Sequence, residues 1–428
     1  MSTIETGAHV RLANHPTARS KAVAVSSLSP GALIISVESL ATVLVPSEKG
    51  RRCDACHTIP TSLRRCSGCA SFYYCDASCQ SIHWKTFHKR MCKHFNGYTT
   101  SPSFQALAAH EKMDALLLSH LAVLLPSHEV REETSSALAM FMSLLPGPVD
   151  VTTPPICPSG SSPSPETLQF IFSRFGNNNF AMHSHFNTFG HGIFPLASRL
   201  FNHSCIPNAA AKYIISPSHP PKMDVIALGK INPGEEICLT YVDPALLQSR
   251  QQIFELTYGF KCRCSSCVYV EGLGRIPEPP SNPDGIAWVV KKLREFVPAS
   301  SHGLFNRTKL LPDDVLCVLH ESFLSKISET FSNASHDGPY DLALDVGETI
   351  LQIYQLIYPE NYPQIGLHLL EMAKTGWNQS VSTGSSNVEL PRKYLKQARQ
   401  ILLIIGTEGD DGGPLEEIQA LQGLLNTQ

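Results

Sequence analysis

The chain has 428 residues, 43% of them apolar and 17% charged, with 34 Lys and Arg against 37 Asp and Glu for a formal net charge of −3. That length gives a prior of about two to three domains with ample core, and the near-neutral balance excludes whole-chain electrostatics as a drive toward nucleic acid or membrane. The first twenty residues hold Glu5, His9, Arg11 and His15 with no continuous apolar run, and no stretch approaches the roughly 20 apolar residues of a membrane span, so the expectation is an intracellular protein without a membrane association. Of the 14 cysteines, only Cys157, Cys238 and Cys317 stand outside metal-type clusters, which argues against a disulfide scaffold at this length.

Residues 22 to 37 run Ala-Val-Ala-Val, a turn at Pro30 and Gly31, then Leu33, Ile34, Ile35 and Val37. This reads as a hairpin of two short strands. Residues 53 to 92 carry four ligand pairs, Cys53 with Cys56, Cys66 with Cys69, Cys75 with Cys79 and His88 with Cys92. Two or three residues between the members of each pair let one local segment present two ligands to a tetrahedral ion, so the eight serve two zincs. His83 competes with His88, whose shorter spacing to Cys92 favours it. A forty-residue segment poor in apolar side chains needs the metal as its core, since structural zinc contributes on the order of 10 kcal/mol of apparent folding free energy.

The same module holds Arg51, Arg52, Arg64, Arg65, Lys85, Lys89, Arg90 and Lys93 against Asp54 and Asp76. We read this excess as a solvated face that offsets zinc–thiolate charge; a nucleic-acid phosphate partner is the less favoured reading. Tyr73, Tyr74 and Trp84 are the module's aromatic residues. They serve either as packing or as a platform for a partner.

Residues 103 to 145 read as helical, with Leu116, Leu117, Leu118, Leu121, Leu124 and Leu125 as an apolar packing stripe. Val151 to Pro165 is rich in Pro and Ser and reads as an exposed loop in which Cys157 is an incidental thiol. A helix around Glu166 to Arg174 follows, then Asn177, Asn178, Asn179 and Phe180, which taken alone signal a turn.

Asn202, His203, Ser204 and Cys205 read NHSC, between the apolar stretch Ile193 to Phe201 and a turn at Ile206, Pro207 and Asn208. Polar groups this close to apolar chain need partners in the fold or in a ligand. Asp224 to Leu228 and Ile237 to Tyr241 read as two strands joined through Asn232, Pro233 and Gly234. Cys262, Cys264 and Cys267 then follow Tyr258, Gly259 and Phe260. Three cysteines are one ligand short of a closed zinc site, and Cys205 and Cys238 are the nearest candidates for the fourth.

Beyond Cys267, Pro277, Pro279, Pro280 and Pro283 mark a linker. Helical patterns follow at Ala287 to Phe296, Pro312 to Ser332, Tyr340 to Tyr358, Tyr362 to Gln379, Leu390 to Ile405 and Pro414 to Leu425, with breaks at Asn333 to Pro339 and Gly406 to Pro414. They suggest a helical bundle or an array of helix pairs, without a repeat of fixed period.

The order NHSC, then Gly234, Glu235 and Glu236 before a strand ending at Tyr241, then Tyr258, Phe260, Cys262, Cys264 and Cys267, is similar to the SET and post-SET core of protein lysine methyltransferases. With the 53 to 92 module, the chain resembles the SET and MYND domain (SMYD) family over roughly residues 10 to 270. The resemblance implies an α+β fold in which a SET β-fold is interrupted by a MYND zinc finger and a helical insert. A zinc-bound post-SET segment and an all-α, tetratricopeptide-like C-terminal domain complete it. The expected divisions are 10–48 for the SET N-terminal part, 51–94 for the finger, 100–185 for the insert, 186–245 for the SET core, 246–270 for post-SET, 271–283 for the linker and 284–428 for the helical domain.

In that family the zinc ligands interleave, which assigns Cys53, Cys56, Cys75 and Cys79 to one ion and Cys66, Cys69, His88 and Cys92 to the other. Cys205 closing the third set would tie NHSC to the tail. The activity implied is methyl transfer from S-adenosylmethionine to the side-chain amine of lysine in a protein substrate. Such chemistry needs a water-poor channel that disfavours the ammonium form and aligns the amine. By the resemblance, Tyr241 and Tyr258 are catalytic, Tyr258 and Phe260 line the lysine channel or cofactor pocket, and Asn178, Asn202, His203, Tyr241, Tyr258 and Phe260 contact the cofactor, Asn202 and His203 partly through backbone groups.

The finger would dock Pro-containing peptides, and the helical domain would narrow the substrate groove. A monomer in the nucleus or the cytoplasm is expected. One departure stands out, because where the family has a glycine, any residue, glycine element, this chain has Arg19, Ser20 and Lys21. Glycines allow a backbone to approach a ligand closely. Their loss motivates a second reading, a catalytically weak SET-MYND scaffold that binds protein partners or nucleic acid through the finger.

Overall fold

The computed structural model describes residues 9–125, 132–149, 152–160, 163–297 and 311–427. In chain order its strands are β1 (Val10–Ala13), β2 (Lys21–Ala24), β3 (Leu33–Glu38), β4 (Ala41–Leu44), β5 (Arg64–Arg65), β6 (Tyr73–Tyr74), β7 (Asn179–Ser184), β8 (Asn187–Ile193), β9 (Asn202–His203), β10 (Ala209–Ser216), β11 (His219–Ala227) and β12 (Cys238–Leu239). They form small sheets, β1-β2, β10-β11-β3, β4-β8-β7 and a parallel β12-β9 pair, with β5-β6 inside the finger.

Neither expected hairpin forms. β2 pairs antiparallel with β1, Val10 opposite Ala24, while β3 pairs with β11, Val225 opposite Ile35. The reason lies in burial: Ala22, Val23 and Ala24 are almost completely covered, so β2 needs neighbours on both edges. The second edge is residues 231–237, where Ala24 N–H donates to Glu235 O at 3.0 Å and Ile237 N–H donates to Ala22 O at 2.8 Å. Turns at Gly31 (φ 81) and Gly234 (φ 80) do occur where Pro-Gly placed them. The chain leaving the second turn crosses β2 instead of returning along β11, and only Cys238–Leu239 of the expected Ile237 to Tyr241 strand is extended, running parallel to Asn202–His203. The two segments do share one domain, whose core includes Ile34, Val37, Phe194, Phe201, Tyr213, Val225 and Ile237.

The helix Ala109–Leu124 buries Leu117, Leu118, Leu121 and Leu124 against Leu40, Ala41 and Val43 beside β4, together with Phe141 and Ile171. The leucine stripe therefore packs. Expected helix residues 126–131 lie outside the described residues, as do 151, 161 and 162 of the Pro/Ser loop. The described part of that loop is exposed at Thr152, Pro158, Gly160, Ser164 and Pro165 but pinned at its middle: Cys157 is buried, its N–H donates to Ser119 Oγ at 2.9 Å, and Tyr98 OH donates to Pro155 O at 2.7 Å. Pro155 and Cys157 supply backbone groups that Tyr98, on the short helix Phe95–Thr99 after the finger, and Ser119, on the helix Ala109–Leu124, satisfy.

The C-terminal helices are Pro283–Phe296, Glu321–Asp337, Tyr340–Ile357, Pro363–Thr383, Glu389–Ile405 and Pro414–Asn426. The expected helix Pro312 to Ser332 is a tight turn at Asp313–Leu319 followed by a separate helix, and the break placed at Asn333 begins only at Gly338. Consecutive helices pack around one apolar core that reaches Ile226 and Leu228 of the β-domain. Polar contacts fasten the two together. Arg52 of the finger forms a two-pronged pair with Asp410 at 2.8 and 2.6 Å, Lys212 Nζ donates to Ile405 O at 2.7 Å, and the Glu321 carboxylate accepts from the Gln248 and Ser249 N–H groups at 2.8 Å each.

Candidate active site and metal centres

Three tetrads of metal-type ligands assemble: Cys53, Cys56, Cys75 and Cys79; Cys66, Cys69, His88 and Cys92; and Cys205, Cys262, Cys264 and Cys267, the donor atoms of each within 4.8 Å of one another. Thiolates with at most one imidazole, four donors to a site and no carboxylate, form the donor set of structural zinc. In the finger, Asp76 Oδ1 accepts from Cys79 N–H at 2.8 Å and starts the helix Ala77–His83. A wide turn over Trp84–His88 then swings His88 Nε2 to 3.4 Å from Cys69 Sγ and 3.3 Å from Cys66 Sγ. His83 is occupied elsewhere, its Nδ1 sharing a hydrogen with Tyr74 OH at 3.0 Å. In the third tetrad Cys205 Sγ lies 3.5 Å from Cys267 Sγ. Cys238 lies outside the set, half-buried on β12, and burial pushes its thiol up to about 12.

The finger's surface differs from expectation in two respects. Arg52 is buried and bonded to Glu48 and Asp410, and Arg90 donates to Val123 O, so two of the eight cations are structural. Tyr74 is likewise buried in the finger's core, which leaves Trp84 exposed and Tyr73 partly so.

Next to the third tetrad, Tyr241, Tyr258, Phe260, Phe254 and His203 close into an aromatic cluster. Ring centroids are 5.0 Å apart for Tyr241 and Tyr258, 6.4 Å for Tyr241 and Phe260, and 4.3 Å for His203 and Phe254. A wide turn at Phe254–Tyr258 ends at Gly259 with φ 72, a conformation that favours glycine and reverses the chain between Tyr258 and Phe260. Tyr241 OH donates to Phe201 O at 2.6 Å, and burial raises its phenol above the usual range. Tyr258 OH reaches Tyr241 O at 3.4 Å.

His203 joins the cluster to the metal site. Tyr241 N–H donates to His203 Nδ1 at 3.0 Å, and His203 Nε2 lies 3.2 Å from Cys205 Sγ. Because the backbone N–H can only donate, Nδ1 accepts and the neutral ring carries its hydrogen on Nε2, aimed at the sulfur. The side chain is thereby spent, and a cofactor could meet His203 only through its backbone. Asn202 Nδ2 donates to Ser20 O at 2.9 Å and to Glu236 Oε1 at 2.8 Å, so the strand that carries the motif is also tied to the Arg19, Ser20 and Lys21 segment.

Asn178 sits apart. Its amide donates to Arg174 O at 2.9 Å and Asn177 Oδ1 at 2.8 Å, and among the described residues no hydrogen bond or ring contact joins it to Asn202, His203 or Tyr241. Sequence reasoning missed Tyr358, whose OH donates to Asp243 Oδ1 at 2.9 Å, and Tyr362, stacked on it at 4.5 Å. They bring the helical domain to within two residues of Tyr241, and nothing in their own helical pattern signals that contact.

Residues 53–92 match the sequence model of the MYND finger family. Along its length the chain is 24% identical over 434 residues to a Bos taurus protein named N-lysine methyltransferase SMYD2, a match covering 92% of this chain and 94% of that one. It is 25% identical over 435 residues to Xenopus laevis N-lysine methyltransferase SMYD2-B and 24% over 435 residues to Homo sapiens N-lysine methyltransferase SMYD2, with the same coverage. A crystal structure of the SET domain of LSMT bound to lysine and AdoHcy aligns with 98% of this chain and 95% of its own at 12% identity, but the TM-score of 0.27 is too low to carry weight. The similarity read from residues 10 to 270 thus extends over more than nine-tenths of the chain.

Proposed function

We propose that this chain, similar throughout to SET and MYND lysine methyltransferases, transfers a methyl group from S-adenosylmethionine to the side-chain amine of a lysine in a protein substrate. The observation that carries the reading is Tyr241, its hydroxyl held by Phe201 O inside an aromatic cluster built against a four-cysteine site. The Asn202–Tyr241 cluster fits the cofactor's amino-acid end on chemical grounds, offering the backbone of β9, the Asn202 amide and the rings of Tyr258 and Phe260. When bound, the cofactor supplies the sulfonium methyl.

The remaining work belongs to the chain. Partly buried aromatic walls disfavour the ammonium form of an entering lysine and so favour loss of its proton. With its hydrogen committed to Phe201 O, the Tyr241 oxygen is left to accept from the amine N–H, which orients the nitrogen lone pair for in-line attack. Tyr258 walls the channel and abuts the Tyr241 carbonyl. His203 holds the Tyr241 backbone in place, and the Cys205 tetrad holds His203.

The twelve ligands are assigned to three zinc ions, and the divisions of the chain at residues 48, 94, 185, 245, 270 and 283 follow the same reading. The partner is a protein carrying the target lysine, and the exposed Trp84 side of the finger is assigned to Pro-containing peptides. The exposed Arg51, Arg64, Arg65, Lys85, Lys89 and Lys93 leave nucleic acid the less favoured ligand. We assign an intracellular monomer. No helix among the described residues is long and apolar enough to cross a membrane.

The test is calorimetric binding of S-adenosylmethionine to the zinc-loaded chain and its Asn202→Ala variant, followed by methyl transfer to lysine-containing proteins. Binding that is lost in the variant supports the enzyme. Absence of binding moves the reading to the scaffold, which the replaced glycine element favours.

A further inference from the structure

The segment where two glycines are expected holds Arg19, and Arg199 lies near enough to feel its charge. Arg199, on the helix Pro195–Leu200, donates through Nη1 to Ser20 Oγ at 2.6 Å, and Arg19 donates through Nη1 to Ser143 O at 3.0 Å. Among the described residues neither has a carboxylate oxygen within 4.0 Å of its nitrogens. Burial, and then the neighbouring Arg19, hold the Arg199 guanidinium below its usual range. Arg19 is exposed and Arg199 partly buried, and like charges near one another, one of them partly desolvated, cost free energy unless an anion joins them. One of the five donors of Arg199 is used on Ser20, so donors remain for such an anion.

The other side of the same residue carries the opposite charge. Asn202 Nδ2 donates to the Ser20 carbonyl at 2.9 Å and to Glu236 Oε1 at 2.8 Å. Arg199, Ser20, Asn202 and Glu236 are thus linked in a row by three hydrogen bonds, with cations at one end and at the other a carboxylate whose Oε2 has His15 Nε2 as a neighbour at 4.0 Å. A zwitterion complements that row, its carboxylate toward the guanidinium groups and its ammonium toward Glu236.

We propose that Arg199, supported by Arg19, binds the α-carboxylate of the cofactor and that Glu236 binds its α-ammonium. Charge then replaces the close backbone approach that glycines would have allowed. This rests on the methyltransferase reading and assigns residues to one end of that ligand. It also accounts for the departure at residues 19 to 21 without loss of the site, because Ser20 supplies hydrogen-bonding groups to both Arg199 and Asn202.

The experiment compares two ligands by calorimetry on the zinc-loaded full chain: S-adenosylhomocysteine, and 5′-methylthioadenosine, which lacks the amino-acid end. Wild-type protein should bind the first at least about tenfold more tightly. Arg199→Gln should weaken it by about ten- to a hundredfold, the loss of a hydrogen bond to a charged group, while methylthioadenosine changes less than about twofold. Glu236→Gln, which keeps an oxygen for Asn202, should follow the same pattern, and Arg199→Lys should recover part of the loss. Zinc content and thermal midpoint are measured for each variant, and equal losses for both ligands would overturn the proposal in favour of a structural role. Methylthioadenosine binding as tightly as S-adenosylhomocysteine to wild-type protein would overturn it while leaving a nucleoside site. No binding of either would overturn it together with the methyltransferase reading.

Discussion

The finger, with seven cysteines and one histidine, and the all-cysteine third tetrad use closely similar ligands for different ends. All eight finger ligands lie within residues 53 to 92, so a metal there closes short loops and organises a local module. In the third tetrad Cys205 and Cys267 are 62 residues apart. A metal there ties the NHSC strand, Tyr241 through His203, and the Tyr258–Phe260 turn into one unit. Similar donor sets thus organise a local module in one place and the geometry of a candidate active site in the other. The difference comes from what the chain carries between the ligands.

Cysteine replacements test that contrast most severely. Cys205→Ser should release one zinc of three and abolish cofactor binding and methyl transfer, because it removes both a ligand and the partner of His203 Nε2. Cys66→Ser should also release zinc yet keep at least about a tenth of the transfer rate, since the finger's ligands do not touch the Tyr241 cluster. Zinc content by mass spectrometry together with a transfer assay reads both. Equal losses of activity would erase the distinction.

Tyr241→Phe comes next. It should cost about 10²-fold or more in transfer rate, the scale of one oriented polar group at a reacting centre, and leave zinc content unchanged. Undiminished activity would remove the hydroxyl from its assigned place.

Arg52→Ala concerns how the finger is attached. It leaves Asp410 without its partner and should lower stability by about 2 kcal/mol, after discounting the full cost of a broken buried pair for Asp410's partial exposure. Denaturant unfolding checks it. Burial pushes the Asp410 carboxyl up, but its hydrogen bonds to Arg52 and Ser184 and the Arg52 charge outweigh that and hold it below the usual range. A depressed carboxylate contributes stability above its unfolded value of about 4 and loses it as pH falls through the folded value. The wild-type chain should therefore lose this contribution in acid below about pH 4, and Asp410→Asn should lack that part of the pH dependence.

Trp84→Ala should have the smallest effect. Its exposed ring contributes within about 0.5 kcal/mol to folding, so stability and transfer should stay level while binding of a Pro-containing peptide to the finger weakens. Unaltered peptide affinity would detach that partner from Trp84.

Much of the site was legible because its chemistry is local. Paired Cys and His residues with two or three residues between them declare a metal whatever surrounds them, and Pro-Gly at 30–31 and 233–234 declares turns. The pairing of β2 was not legible, since nothing in Lys21–Ala24 says that both edges will be covered and the nearer partner, β3, is taken by β11. Nor did the sequence show where the Asn178 amide goes: in the fold it bonds Arg174 O and Asn177 Oδ1, close to it in sequence.

By itself, then, the sequence determined the kind and number of metal ligands, the positions of the turns, the helices of the C-terminal half and the residues of the aromatic cluster. Each of these follows from residue type at short spacing, where the chain has few conformations to choose among. Only the tertiary structure decided that Cys205 and not Cys238 completes the third tetrad, that Asp410 receives Arg52, and that Arg199 meets Ser20 beside Asn202. Those choices join residues far apart in sequence, and they are settled by which surfaces can be buried together with every polar group paired.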